Sequence, residues 1–186
     1  MAEHRRALLA DLTGEVIEVG AGDGLNFQHY PPTVTHVVAV EPEPHLRRLA
    51  RAAASRAPVP VDVVEGVAER LPGADGTADA VVVSLVLCSV GDQRAALREI
   101  HRVLKPGGQL RFLEHVRADS PGLVRVQQLL DATLWPRLAG GCHTSRDTAG
   151  AIRRAGFTIE RLDRFQFPDA TRTPASFHIL GTARRD

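Results

Sequence analysis

Two periods of apolar and polar residues take turns along this chain. Residues 3–12 carry Ala7, Leu8 and Leu12 near helical spacing, and 15–19 (Glu-Val-Ile-Glu-Val) form a short buried-type strand that runs into a glycine cluster. A second strand is predicted at 36–40, a helix at 44–56, a third strand at 59–64 and a valine-rich fourth at 78–85. Asp92 is placed to cap a helix reaching Leu104, whose apolar side is Ala96, Leu97, Ile100, Val103 and Leu104. Pro106-Gly107-Gly108 stops that helix and turns the chain into a fifth strand at 109–114. Strands separated by helices and apolar on both faces predict an α/β fold, a doubly wound, Rossmann-like and mostly parallel sheet.

The last third follows another pattern. Residues 123–138 read as helix with a break at Trp135-Pro136. Thr144-x-x-Asp147 has the form of a capping box opening a short helix that ends at Gly156. Two extended segments, 157–165 and 177–183, fit an antiparallel strand pair closing the sheet. No repeat or linker divides residues 1–186, so the chain reads as one domain.

Composition narrows the function classes. Basic and acidic residues number 23 and 22, a net charge of +1, which argues against a nucleic-acid binder. The longest apolar stretch, 80–90, is interrupted by Ser84 and Ser89 and falls well short of the about 20 residues that span a bilayer. The opening Met1-Ala-Glu-His-Arg-Arg-Ala is amphipathic and does not resemble an apolar signal region. Cys88 and Cys142 set no disulfide framework and suit a reducing cytoplasm.

Chemistry first surfaces in Val16-Ile-Glu-Val-Gly-Ala-Gly-Asp-Gly24. A strand that ends in glycines and enters a helix lets a ligand lie against bare backbone, although glycines alone could simply make a tight turn. A dinucleotide loop needs a glycine three residues after Gly22, where Leu25 stands, so a nicotinamide dehydrogenase fails on spacing. Glu41 ends the second strand nineteen residues after Gly22, the distance of an acid that accepts a ribose diol. Gly66-Val-Ala-Glu-Arg-Leu-Pro72 after the third strand offers backbone to an adenine edge, and Leu104-Lys-Pro-Gly-Gly108 completes the series.

In this order and spacing, the chain from about 14 to 115 resembles the class I S-adenosylmethionine-dependent methyltransferases. The resemblance implies S-adenosyl-L-methionine as cofactor, with Glu18, Gly20, Gly22, Asp23 and Gly24 facing its methionine part and Glu41 its ribose. It implies that Val67, Ala68 and Glu69 frame the adenine, with Ser84 or Leu85 close by. Many members carry Asp or Asn where Val67 stands, so contact there falls to backbone. A narrower resemblance rests on Gly24-Leu-Asn-Phe-Gln-His-Tyr-Pro31, Leu85-Val-Leu-Cys-Ser-Val90, Leu113-Glu-His-Val116, Asp131 through Trp135, Gly141-Cys142 and His178-Ile-Leu-Gly181. These are similar to the methyltransferase-like thiol methyltransferases of animal microsomes and their bacterial relatives. Those animal proteins open with an anchoring apolar helix. This chain opens without one, so a soluble, cytoplasmic form is implied.

For the acceptor, the carboxyl ends of the strands place Cys88, Ser89, Glu114 and His115 on one edge, with His29 and Tyr30 nearby. His115 is the candidate base; the alternative is an imidazole bonded to backbone. Cys88 is more often a small buried hydrophobe than a reactive thiol. Cys142-His143 looks like half a metal site, nothing at ligand spacing supplies the rest, and no metal is expected. Leu129, Leu130, Leu134 and Trp135 either line an acceptor pocket or belong to the core. The expected reaction is methyl transfer to a small acceptor, with thiol sulfur favoured by the resemblance. The alternatives are an amine, a phenol or quinone-like carbon, a phospholipid headgroup, or cofactor binding without transfer. The short run before the first strand leaves apolar surface that a second copy could cover in a homodimer.

Overall fold

The valine-rich runs become neighbours in one seven-stranded sheet. The computed structural model describes residues 1–133, 135–168 and 173–186. The strands are β1 (Gly14–Val19), β2 (Val34–Val40), β3 (Val61–Val64), β4 (Ala78–Ser84), β5 (Leu104–His115), β6 (Phe157–Gln166) and β7 (Phe177–Arg185). Their order is β3-β2-β1-β4-β5-β7-β6. The first five are parallel, while β7 runs antiparallel to both β5 and β6.

Alternation along the strands separates two cores. Val16, Val37, Ala39, Ala80 and Val82 pack on one face with Leu8, Leu9 and Leu12, the first two from α1 (Ala2–Leu9), and with Ala50 of α2 (Pro44–Ala54). Ile17, Val19, Val81 and Val83 face the other way, onto Leu97 and Ile100 of α3 (Gln93–Val103) and Ile152 of α6 (Thr148–Arg154). A parallel sheet covered on both faces explains the nearly continuous apolar strands. Between α3 and α6 lie α4 (Pro121–Asp131) and α5 (Trp135–Leu138). Among the described residues no helix is long and apolar enough to cross a membrane.

Several expected boundaries shift for local reasons. No α-helix follows the glycine loop; a 3-10 turn at Phe27–His29 takes its place, stopped by Pro31-Pro32. β5 begins at Leu104 and not after the Pro-Gly-Gly turn, because Ala78 already pairs with Leu104 across a bulge. β3 is shorter than expected, starting after Pro60. Asp92 caps α3 as expected, accepting from the Ala95 N–H at 2.9 Å. The capping box at 144–147 does not form: Asp147 itself caps α6, and Thr144 bonds Asp131 instead. α4 ends at Asp131, and Pro136 sits in the opening turn of α5, where its missing N–H costs nothing.

Candidate functional site

The chain winds outward from β1 through β2 to β3, then returns to the far side of β1 as β4. That reversal opens a crevice beyond the carboxyl ends of β1 and β4, the place where open parallel sheets bind ligands. Gly20 and Gly22 line it, with φ of +68° and +58°. A Cβ on Gly20 would lie 2.5 Å from Cγ2 of Val86, so this glycine allows close packing. A Cβ on Gly22 would meet nothing within 4 Å; this glycine keeps a wall of the crevice bare for a ligand.

Glu41 reaches back from the end of β2 to fasten the loop. Its Oε2 accepts from the Gly22 N–H at 2.8 Å and its Oε1 from the Glu43 N–H at 3.0 Å. Beneath the loop, the buried Glu18 carboxyl accepts from Asn26 Nδ2 at 2.8 Å and from the Tyr30 hydroxyl at 2.6 Å. Burial pushes Glu18 up to about 7, against the pull of these two hydrogen bonds and of Arg5. Burial and the neighbouring Glu18 charge also push Tyr30 well above its ordinary value. Arg5 extends from α1 to donate to Asn26 Oδ1 at 2.7 Å and to Ser84 Oγ at 3.3 Å, tying α1 to the loop after β1 and to the end of β4.

Past β4, Leu85 has a φ of +62°, a conformation that costs a side-chain-bearing residue on the order of 1–3 kcal/mol. The bend sends three successive N–H groups to the buried Glu114 carboxylate: Val86 at 2.9 Å, Leu87 at 3.0 Å and Cys88 at 3.0 Å. Burial pushes the Glu114 pKa up, while those three donors oppose it.

The resulting cleft measures about 450 Å³, within the range of small-molecule sites. Of the residues named from sequence, Gly20, Gly22, Glu41, Val67, Ala68, Glu69, Ser84 and Leu85 line it together. Three others do not. Glu18 lies buried beneath, Asp23 is exposed at the loop tip, and Gly24 packs against Phe27. His115, the candidate base, is not on the wall of this cleft either. Pairing with His178 at the end of β5 turns it elsewhere: its Nδ1 lies 3.4 Å from Cys142 Sγ and 3.9 Å from Cys88 Sγ. The two rings sit 4.3 Å apart between centroids, and burial lowers His178 to about 4. The hydrogen bond to Cys142, together with burial, pushes the Cys88 thiol up to about 12, and the same bond lowers Cys142.

Cys88, His115 and Cys142 thus meet although no spacing rule joins them, and His143 turns aside to the Gly141 carbonyl at 2.8 Å. Leu129 is 67% exposed and lines neither the cleft nor the core; Leu130 and Trp135 are half-buried, and Leu134 lies outside the described residues. Sequence reasoning missed Arg5 and Asn26 as site residues, since α1 offers no local sign that its arginine crosses to the sheet. It also missed Val86 and Gly140 on the wall, whereas Ser89, expected at the strand ends, does line it.

The walls fit S-adenosylmethionine: a carboxylate for a diol at the end of β2, bare backbone at Gly22, and apolar Val67 and Leu85 for a purine. The family model of the methyltransferase domain matches residues 17–112. Thiol S-methyltransferase TMT1A of Homo sapiens is 37% identical over 180 residues, covering 90% of this chain and 73% of that protein. Thiol S-methyltransferase TMT1B of Rattus norvegicus is 36% identical over 171 residues, covering 90% and 69%. Geranyl diphosphate methyltransferase, solved in complex with SAM, has a TM-score of 0.75 at 14% identity, covering 100% of this chain and 84% of that one, a likeness of fold. A family model over half of the chain, and such identity along nine tenths of it, make this protein an S-adenosylmethionine-dependent methyltransferase, a member of the family that includes the thiol S-methyltransferases.

Proposed function

We propose that this methyltransferase acts on the sulfur of a small thiol. One observation of the site carries the reading: among the described residues on the cleft wall, the titratable side chains are the carboxylates Glu41 and Glu69, with no histidine, lysine, cysteine or tyrosine. An amine must lose a proton before attack and an alcohol needs a strong base. A thiol asks least, since a pKa near 8.5 leaves a few per cent as thiolate at pH 7. The names of the relatives at 36–37% identity support the same acceptor.

When bound, S-adenosylmethionine supplies a methyl group already activated on a sulfonium. The chain contributes placement, which is worth roughly 7–11 kcal/mol of a barrier when attack geometry is good. In this reading Glu41 accepts the ribose hydroxyls while keeping the Gly22 N–H, and the Ala68–Glu69 backbone meets the adenine edge. Gly20, Gly22, Asp23 and Gly24 shape the methionine end. Glu18 acts from below as a positioning residue through Asn26 and Tyr30. The net charge of +1 suits a small acceptor better than a polyanion such as nucleic acid. Two neighbouring free thiols suit a reducing compartment, the cytoplasm. All strands join one sheet, which supports a single domain over residues 1–186.

The test is a labelled-methyl screen across thiols, amines, phenols and phospholipids. Label should appear on thiols. If it appears only on other acceptors, the thiol reading falls and the family assignment stands. A bound cofactor with no labelled product would point to a binding protein.

A further inference from the structure

Behind the cleft wall, three chemistry-bearing side chains converge from elements far apart in sequence. Cys88 comes from the loop after β4, His115 from the end of β5, and Cys142 from the loop before α6. One ligand-type atom from each lies within 4.8 Å of the other two. Cys88 and Cys142 are buried, and His115 is partly open.

We propose that Cys88, Cys142 and His115 bind one thiophilic divalent cation, Zn2+ by their chemistry, and that its fourth position takes the sulfur of the acceptor thiol. Two thiolates and an imidazole are a soft donor set that selects zinc over magnesium or calcium. With Zn–S near 2.3 Å and Zn–N near 2.0–2.1 Å, a tetrahedral ion sets its sulfur and nitrogen ligands about 3.6 Å apart. The distances from His115 Nδ1, 3.4 Å and 3.9 Å, fall on either side of that value. These two edges need adjustments of about 0.3 Å, and the Sγ–Sγ edge, within 4.8 Å, has to come to about 3.8 Å.

The backbone around the ligands is held in advance. The Cys88 N–H donates to Glu114 at 3.0 Å, and its carbonyl accepts from the His143 N–H at 2.8 Å. Asp131 clamps the segment after Cys142, taking the Thr144 and Ser145 N–H groups at 2.8 Å each and the Ser145 hydroxyl at 2.6 Å. Such outer contacts orient ligands in metal sites. Three protein ligands leave a fourth position, the arrangement of a zinc centre that works on a bound group. Ser89 and Gly140, close in sequence to two ligands, line the cofactor cleft, so the ion stands beside it.

The second half of the proposal rests on the thiol reading. The acceptor R–SH binds the ion and releases its proton to solvent, since a coordinated thiol is deprotonated. The thiolate sulfur forms a bond to the sulfonium methyl. The old carbon–sulfur bond breaks with its electron pair left on the cofactor sulfur, giving neutral S-adenosylhomocysteine and a neutral thioether. Three thiolates on Zn2+ carry a net charge of −1, which faces the cationic sulfonium. The thioether product, uncharged, is a poorer ligand and leaves.

The experiment uses the full chain, reduced with a phosphine under anaerobic conditions, and titrates it with Co2+ as a spectroscopic stand-in for Zn2+. The expected result is one Co2+ per chain with the intense visible bands of a tetrahedral thiolate site. Cys88→Ser, Cys142→Ser and His115→Ala should each weaken binding by at least about tenfold. Calorimetry with S-adenosylhomocysteine, whose cleft lies in front of these residues, verifies that the variants are folded. Adding mercaptoethanol should shift the bands, and zinc content measured on untreated protein should approach one ion. Absence of stoichiometric binding, or binding indifferent to all three substitutions, overturns the site; thiol methylation persisting in that protein would leave the thiol reading standing. Tight Co2+ whose bands ignore mercaptoethanol, while labelled thioether still forms, overturns the coordination of the acceptor. Binding that depends on the three residues without any thiol being methylated supports the ion site and contradicts the thiol reading.

Discussion

The Oε2 atom of Glu41 accepts a hydrogen bond from the Gly22 N–H at 2.8 Å, joining the end of β2 to the glycine loop of β1. A carboxylate has about four lone-pair positions, so two backbone bonds leave room for a diol. Glu41→Ala should therefore weaken S-adenosylhomocysteine binding by about 1.5–3 kcal/mol, the worth of a hydrogen bond to a charged group. That is roughly a 10- to 150-fold rise in Kd by calorimetry. Unchanged affinity would mean that the ribose is held by another group.

Gly20 and Gly22 should fail in different ways when given a methyl group. In Gly20→Ala the new Cβ meets Val86 at 2.5 Å on top of a positive φ. Stability should drop by about 1–3 kcal/mol through overpacking and strain. In Gly22→Ala the Cβ has open space, so stability should fall by only about 1–2 kcal/mol, the cost of a left-handed residue. Affinity for the cofactor should fall more, because the methyl occupies the crevice. Urea unfolding with and without S-adenosylhomocysteine separates the two.

Glu18 makes stability depend on pH. Burial raises it from 4.5 to about 7, so between those values the folded chain keeps a proton that the unfolded chain has released. The unfolded state then binds fewer protons, and stability falls as pH rises through this window. The full loss, reached above pH 7, is on the order of 3 kcal/mol. Glu18→Gln copies the protonated form: its carbonyl can keep accepting from Asn26 and its amide can donate to Tyr30. Without cofactor, the variant should match the parent near pH 5 and exceed it at pH 8 in urea unfolding. A difference that does not change with pH would contradict the raised value.

Glu114 holds three N–H groups of one turn. Glu114→Ala should leave them buried and unpaired at about 1–3 kcal/mol each, less whatever water restores. A loss of several kcal/mol in urea, with Leu85 released from its left-handed conformation, is expected. A loss below about 1 kcal/mol would mean that other acceptors take over.

What could be read from sequence was whatever the chain carries locally. Gly22 and Glu41 sit at the ends of adjacent strands, so spacing along the chain is a fair proxy for their distance in space. Asp92 showed itself by its place before an amphipathic run. Arg5 and Asn26 showed nothing, because their meeting depends on where α1 docks on the sheet. Spacing along the chain pairs Cys142 with His143, its neighbour in sequence, whereas the fold gives it Cys88 from another loop and His115 from the end of β5. Metal spacing rules describe ligands from one or two tight turns and are blind to three distant elements. Leu129 shows the opposite error: helical periodicity alone does not say which face of α4 the protein covers, and this side chain is 67% exposed.

Thiol methylation is tested by single-turnover transfer from S-adenosylmethionine carrying a deuterated methyl group, with an alkyl thiol as acceptor and mass spectrometry as readout. A thioether bearing the intact labelled methyl should form in step with S-adenosylhomocysteine and be lost in Glu41→Ala at limiting cofactor. S-adenosylhomocysteine accumulating with the label on nitrogen, carbon or hydroxyl oxygen, and the thiol untouched, would contradict thiol methylation.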